Sequence, residues 1–233
     1  MKNYRTEAFI IAVGLLLMGF FVGGGIKDLA KPERTVFVRG LAEMEVKANH
    51  VTWPILYKEA GNDLLALCNK VSKSNDVIVE FLKNEGVGEE EISINPLEVY
   101  DTNTDRYSNQ NAEFRYNVTS VITVSTAKVD LVRQLINRQG ELLDKGIVIV
   151  DGDYRYRVDY EYTDLNTVKP KMIEEATKNA REAAQKFAKD SDSELGKIKR
   201  ASQGQFSIND RDANTPYLKR IRVVTTIDYS LED

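Results

Sequence analysis

The sequence predicts an α+β fold, a largely antiparallel sheet with three main helices packed on one of its faces, preceded by one N-terminal transmembrane helix. Three observations carry this expectation. Strand-like runs occur in pairs joined by short turns, helical stripes separate those pairs, and nineteen residues from Ala8 to Ile26 carry no charge. Pairs of adjacent strands with interposed helices imply antiparallel sheet instead of a doubly wound nucleotide fold.

The uncharged run, "AFIIAVGLLLMGFFVGGGI", would extend roughly 28 Å as a helix, close to the hydrocarbon thickness of a bilayer. Lys2 and Arg5 precede it. Their side should stay in the cytoplasm, which leaves the bulk of the chain exported. The expected organisation is a cytoplasmic tail at 1–7, an anchor at 8–26, a linker at 27–33 and one domain at 34–233. A signal peptide cut after Gly24 is the alternative, but the run is longer than the roughly 7–15 residues of a signal core. Gly19 and Gly23 in "GFFVG" fit a helix-pairing pattern.

Within the domain, "TVFVRGLAEMEV" and "VTWPILYKE" alternate apolar and polar residues across an "ANH" turn, which reads as a hairpin. Pro54 lacks an N–H, so its strand should have an unpaired side there. Leu64, Cys68, Val71, Ile78 and Leu82 mark a helix from Asn62 to Glu85, ending at Gly86. Strands are expected in "EISINPLEVYD" and "EFRYNVTSVITVST", followed by a helix from about Lys128 to Leu143 with Thr126 as its cap. Asp151 and Gly152 should form a tight hairpin turn. The next helix begins near Val168, with Pro170 in its first turn and Ile173, Ala176, Ala180, Ala183 and Phe187 inward. Two long strands, 195–208 and 217–232, close the chain.

Composition narrows the function. The net charge is −4, which gives no footprint for nucleic acid. The single cysteine, Cys68, excludes an internal disulfide and falls at a buried helical position. His50 is the only histidine. It sits in a turn, with no cluster at metal-ligand spacing, which weighs against triad hydrolases and zinc enzymes. No catalytic residue, cofactor or metal is assigned.

Four local patterns were weighed as sites. "STAK" places Ser125 and Lys128 at S-x-x-K spacing, but the companion motifs of such acyl-enzymes are missing and these residues suit a helix start. Asp101, Asn103 and Asp105 begin a calcium-like loop, yet Arg106 and Ala112 replace the required glycine and glutamate. The sequon at Asn117 lies inside a predicted strand. Lys197, Lys199, Arg200, Lys219, Arg220 and Arg222 suit a solvated face or, on a basic surface, anionic lipid head groups.

The sharpest feature is "DYRYRVDYEY". As a strand it puts Tyr154, Tyr156, Val158, Tyr160 and Tyr162 on one face and Arg155, Arg157, Asp159 and Glu161 on the other. Burial under a helix is the plainest use for the stripe, and a sugar or protein ligand another. A second copy paired antiparallel about Val158 would set Arg155 against Glu161 and Arg157 against Asp159, a self-complementary two-fold contact.

The segments "TVFVRG", "LKNEGVGEEEI", "FRYNVTSVITVSTAKVDLVRQLINRQGELLDKGI" and "EEATKNAREAAQKFAKDSDSELGKI" resemble the SIMPL domain of exported bacterial envelope proteins, over nearly the whole region from residue 34 onward. The chain departs from the family at Gly40-Leu41-Ala42, where Gly-x-Gly is frequent, and at Asn49-His50, where Pro-Asp is frequent. The resemblance brings no catalytic residue. It implies a homo-oligomeric, in some cases ring-like, protein linked to envelope or oxidative stress. The expected partners are therefore copies of the chain, the membrane, and an envelope protein or glycan.

Overall fold

The computed structural model describes residues 5–29, 34–104, 113–150 and 154–232, with the side chains of the first helix described from Phe9 to Val22. The chain is α+β with antiparallel strand pairing. It forms two compact units: Met1–Leu41, Glu175–Gly204 and Val224–Asp233 make the smaller, Ala42–Glu174 and Gln205–Val223 the larger.

Helix α1 (Arg5–Leu29) carries exposed apolar side chains over its described part, among them Leu16, Phe20 and Phe21. Among the described residues no helix is long and apolar enough to cross a membrane. The run 8–26 extends past the described side chains at both ends, and Gly23 lies beyond them; Gly19 has open space where a Cβ would stand.

In the larger unit, β2 (His50–Gly61) pairs along its full length with β5 (Tyr116–Thr126). Beyond β5 lie β3 (Ile92–Ile94) and β4 (Glu98–Asp101), broken apart where Pro96 interrupts the expected single strand. On the other side of β2 stands β6 (Asp159–Glu161), giving the order β3-β5-β2-β6. Val51, Trp53, Ile55 and Tyr57 alternate inward with Val118, Ile122 and Val124. Helices α2 (Leu64–Asn84) and α3 (Val129–Arg138) cover that face with Leu67, Val71, Ile78, Leu82, Val132 and Leu135.

Helix ends follow local chemistry. Asp63 caps α2 by accepting from the Ala66 N–H at 3.0 Å, and Gly86 takes φ +96 just beyond its end. Leu64 is exposed and Cys68 half-buried, so the inward stripe runs through Leu67 instead. Helix α3 stops at Arg138, and a 3-10 segment (Gln139–Lys145) replaces its expected last turns from the residue before Gly140.

The remaining strands are β1 (Thr35–Lys47), β7 (Glu194–Gln203), β8 (Ser207–Asp210) and β9 (Leu218–Glu232). Their order is β1-β9-β7, with β8 also on β9. This corrects two expectations. There are two sheets, and β1 and β2 are not a hairpin: β1 pairs with β9 while β2 pairs with β5 and β6. Alternation alone shows which face a strand buries, never which strand lies beside it.

Helix α4 (Leu165–Asp190) starts earlier than expected, so Pro170 lies inside it, not in its first turn. Its buried row is Met172, Ala176, Ala180, Ala184 and Ala188, while Phe187 is exposed. In the smaller unit Ala180 and Ala184 pack with Val38, Ile227 and Tyr229.

Candidate functional site

The tyrosine segment does not form the expected nine-residue strand. Tyr154–Tyr156 is a 3-10 turn, and only Asp159–Glu161 is extended, paired with His50–Thr52. Asp151 and Gly152, the expected turn, lie outside the described residues. The five side chains therefore separate. Tyr154 is 78% exposed, Tyr156 donates to Glu98 Oε1 at 3.0 Å, and Tyr162 lies 3.3 Å from the Thr167 hydroxyl. Tyr160 is buried, with its ring 6.3 Å from Tyr217, and burial pushes its hydroxyl pKa up. Arg133 stacks over the same Tyr217 ring at 3.5 Å, close enough for a cation–π contact.

Strand β6 is an edge strand, but its three residues cannot support the two-fold register centred on Val158. Pairing about Tyr160 instead would set Asp159 against Glu161, and like charges directly opposite are destabilising. Reaching the charge-matched register requires Arg155–Val158 to leave their present conformation, and Tyr156 its bond to Glu98.

Proline 54 has a visible consequence. Strand β6 accompanies β2 only as far as Thr52, and Ile149 rejoins β2 opposite Tyr57. The interval holds a cleft of about 380 Å³. Trp53, Pro54, Ile136 and Ile149 form its apolar part, and Gln139, Tyr156 and Arg157 its polar part. Arg157 has no ion-pair partner among the described residues.

The "STAK" segment is consumed structurally. Lys128 Nζ donates to Glu91 Oε2 at 2.9 Å and to the Gly86 carbonyl at 3.0 Å. Glu91 also accepts from Thr126 Oγ1 at 2.6 Å and the Gly88 N–H at 2.7 Å. These donors, the Thr126 hydroxyl foremost, hold its carboxyl at about 2. The Thr126 hydroxyl in turn accepts from the Lys128 N–H at 3.0 Å, one residue ahead of the helix; the N-cap of α3 is Lys128, without a side-chain bond, so Thr126 is not the cap expected.

Ser125 instead meets His50, Nε2 to Oγ at 2.9 Å. Sequence reading put His50 in a turn and missed this partner, because the contact depends on the β2–β5 register that sets Thr52 opposite Ser125. A nucleophile and a base are thus adjacent. Ser125 is exposed, however, and it points away from the Val124 and Thr126 side on which α3 packs. The N–H groups at the start of α3 are therefore on the wrong face to stabilise an oxyanion.

Other sequence candidates find structural partners. Asp101 accepts from Arg115 through Nε at 3.1 Å and Nη2 at 3.0 Å, which lowers its pKa; Asp105 lies outside the described residues. No group of three or more His, Cys, Asp or Glu able to hold a metal occurs among the described residues. Asn117 lies within β5 opposite Tyr100. The basic residues of the last strands do not act as one patch: Lys219 is buried on Asp210, while Arg220 and Arg222 pair with Glu45 and Glu43.

The four-stranded sheet ends in β1 at one edge and β7 at the other. Strand β7 has two register breaks and carries Lys197, Lys199 and Arg200, the devices by which edges resist added strands. Strand β1 is longer, with strict alternation of exposed Phe37, Arg39, Leu41, Glu43 and Glu45. Among the described strands it pairs with β9 alone. No sequence signal revealed this edge, since β1 read as half of a hairpin.

Compared with known families, the chain matches the model of SIMPL, "Protein of unknown function (DUF541)", over residues 36–223. No curated relative matches it.

Proposed function

We propose, for a chain that belongs to the SIMPL family, a non-catalytic role: a membrane-anchored extracytoplasmic protein that assembles with copies of itself in the cell envelope. The resemblance adds the expectation of a ring-like form and of a link to envelope or oxidative stress. The observation that carries this reading is β1, a regular thirteen-residue strand at a sheet edge. A long edge without proline presents a row of N–H and C=O groups that another chain can complete; the Leu41 carbonyl in that row accepts from Asn179 Nδ2 at 2.7 Å. The uncharged run 8–26 would hold copies in one membrane and raise their effective concentration. Ser125 and His50 favour no hydrolase reading, because the N–H groups that begin α3 lie on the opposite face of β5.

The test is the native mass of the full chain in detergent, over a range of protein and salt concentrations. A defined oligomer is expected. A monomer at every concentration would remove self-assembly as a property of this chain.

The cleft beside Pro54 supports a second reading, an envelope binding module. Aromatic and apolar walls with Gln139 and Arg157 at the polar side suit a glycan or a protein side chain. Binding to a glycan panel that is abolished by Arg157→Ala would favour it, and equal binding by the variant would reject it.

A further inference from the structure

We infer that β1 pairs antiparallel with β1 of a second copy, about a two-fold axis at Leu41. This rests on the self-assembly reading and names its interface. Strand β1 reads TVFVRGLAEMEVK from Thr35 to Lys47. In an antiparallel pair centred on Leu41, residue numbers of facing positions sum to twice that of the centre. Arg39 then faces Glu43 of the second copy, and the symmetry makes that contact twice.

The side chains suit this register. Arg39, Leu41 and Glu43 are all exposed and lie on one face of the strand. Arg39 has no carboxylate partner among the described residues; its guanidinium lies over Phe37 at 5.8 Å. Among the described residues Glu43 has only the exposed Arg222, at 3.6 Å. Leu41, 38% exposed, meets its own copy on the axis, where its carbonyl also holds Asn179 Nδ2 at 2.7 Å and would share or exchange that bond on pairing. On the other face Val38 is opposite Met44, Val36 opposite Val46, and Gly40 opposite Ala42, so every pair there is apolar or small. Phe37 opposite Glu45 is the one unmatched pair of the charged row.

The other edges are poorer candidates. Two copies of β7 would bring Lys197, Lys199 and Arg200 together, and β6 would bring Asp159 onto Glu161. Strand β1 combines length, regularity and opposite charge at symmetric positions.

The test uses the full chain in detergent with Cys68→Ser, so that any new cysteine is the only thiol. Leu41→Cys should form a covalent dimer under mild oxidation, since facing Cα atoms on paired strands are roughly 4.5–5.5 Å apart, within disulfide range. Phe37→Cys should not, because its two copies would be separated by roughly 27 Å along the strands. Without any cysteine change, Arg39→Glu should weaken the assembly roughly tenfold or more, and Arg39→Glu with Glu43→Arg should restore it. Cross-linking at residue 37 as fast as at residue 41, or an Arg39→Glu assembly as tight as wild type, would overturn this interface while leaving assembly itself intact. A wild-type monomer would remove both.

Discussion

Gly40 stands against Ala180 in the smaller unit: a Cβ at position 40 would be 2.8 Å from the Ala180 Cβ and nearer still to the Ala176 carbonyl oxygen. The obstacle includes helix backbone, which cannot rotate away. Glycine is required here by the close approach of β1 and α4, and the alanine row on the helix is the matching half of the contact.

Gly40→Ala should therefore destabilise the protein by about 1–3 kcal/mol, the usual cost of overpacking a filled site. Chemical denaturation followed by circular dichroism would measure it. Stability equal to wild type would mean that strand and helix separate easily.

Tyr57 gives a prediction at alkaline pH. Its hydroxyl is buried, 2.8 Å from both the Val71 carbonyl and Asn75 Oδ1, and burial pushes its pKa up to about 12. The unfolded chain ionises this phenol near its ordinary value of 10.0, so the folded state binds more protons between the two values. The contribution is fully present below pH 10 and is lost as pH rises through about 12. Stability should fall over that window, and less so in Tyr57→Phe, which itself should cost about 1–3 kcal/mol for the bonds left unmade at Asn75 and the Val71 carbonyl. A parallel pH dependence in the two proteins would count against the assignment.

Glu91 gives the opposite sign. Its folded pKa of about 2 lies below the ordinary 4.5, so its contribution is complete above the unfolded value. It is lost as pH falls through about 2. Glu91→Gln should cost about 1.5–3 kcal/mol at neutral pH, in line with hydrogen bonds to a charged group, and should flatten the acid limb of the stability profile. Denaturation midpoints between pH 2 and 6 would show it. An unchanged acid limb would transfer the effect to other carboxylates.

Ser125→Ala should leave folding and native mass unchanged, since among the described residues its hydroxyl bonds only the His50 ring at the surface. A fluorophosphonate should label the wild-type serine no faster than a free hydroxyl. Rapid labelling, lost in Ser125→Ala, would reopen catalysis.

Arg157→Glu should likewise leave the native mass unchanged, because Val158 is not the centre of a strand in this conformation. A loss of assembly in that variant would show that the 3-10 turn unfolds into a strand when copies meet.

These outcomes trace what periodicity can and cannot reveal. The α+β class, helix α2 with its Gly86 stop, and the last strand β9 were legible because each depends on residues within a few positions of one another, whereas the single strand expected over 195–208 is two, β7 and β8, parted after Gln203. Strand partnership was not: β1 looked like the mate of β2, yet pairs with β9, far along the chain. "DYRYRVDYEY" alternated cleanly, but Tyr160 is held by Tyr217 and Tyr156 by Glu98, contacts that break the alternation. The His50–Ser125 contact needed the β2–β5 register, and the inward row of α4 runs through Ala184 and Ala188 in place of Ala183 and Phe187, a helix phase set by Val38, Ile227 and Tyr229 on the distant strands it meets.

The chain passes between its two units at Leu41, Glu174, Gly204 and Val223. Synthesis runs from the N-terminus, so neither unit is complete when its first residues emerge. The larger waits for Gln205–Val223, and the smaller for Val224–Asp233, although its first strand was made long before. During that interval β1 and the alanine face of α4 are without β9, the strand that both require. That apolar face is first covered when Val224–Asp233 supplies Ile227 and Tyr229.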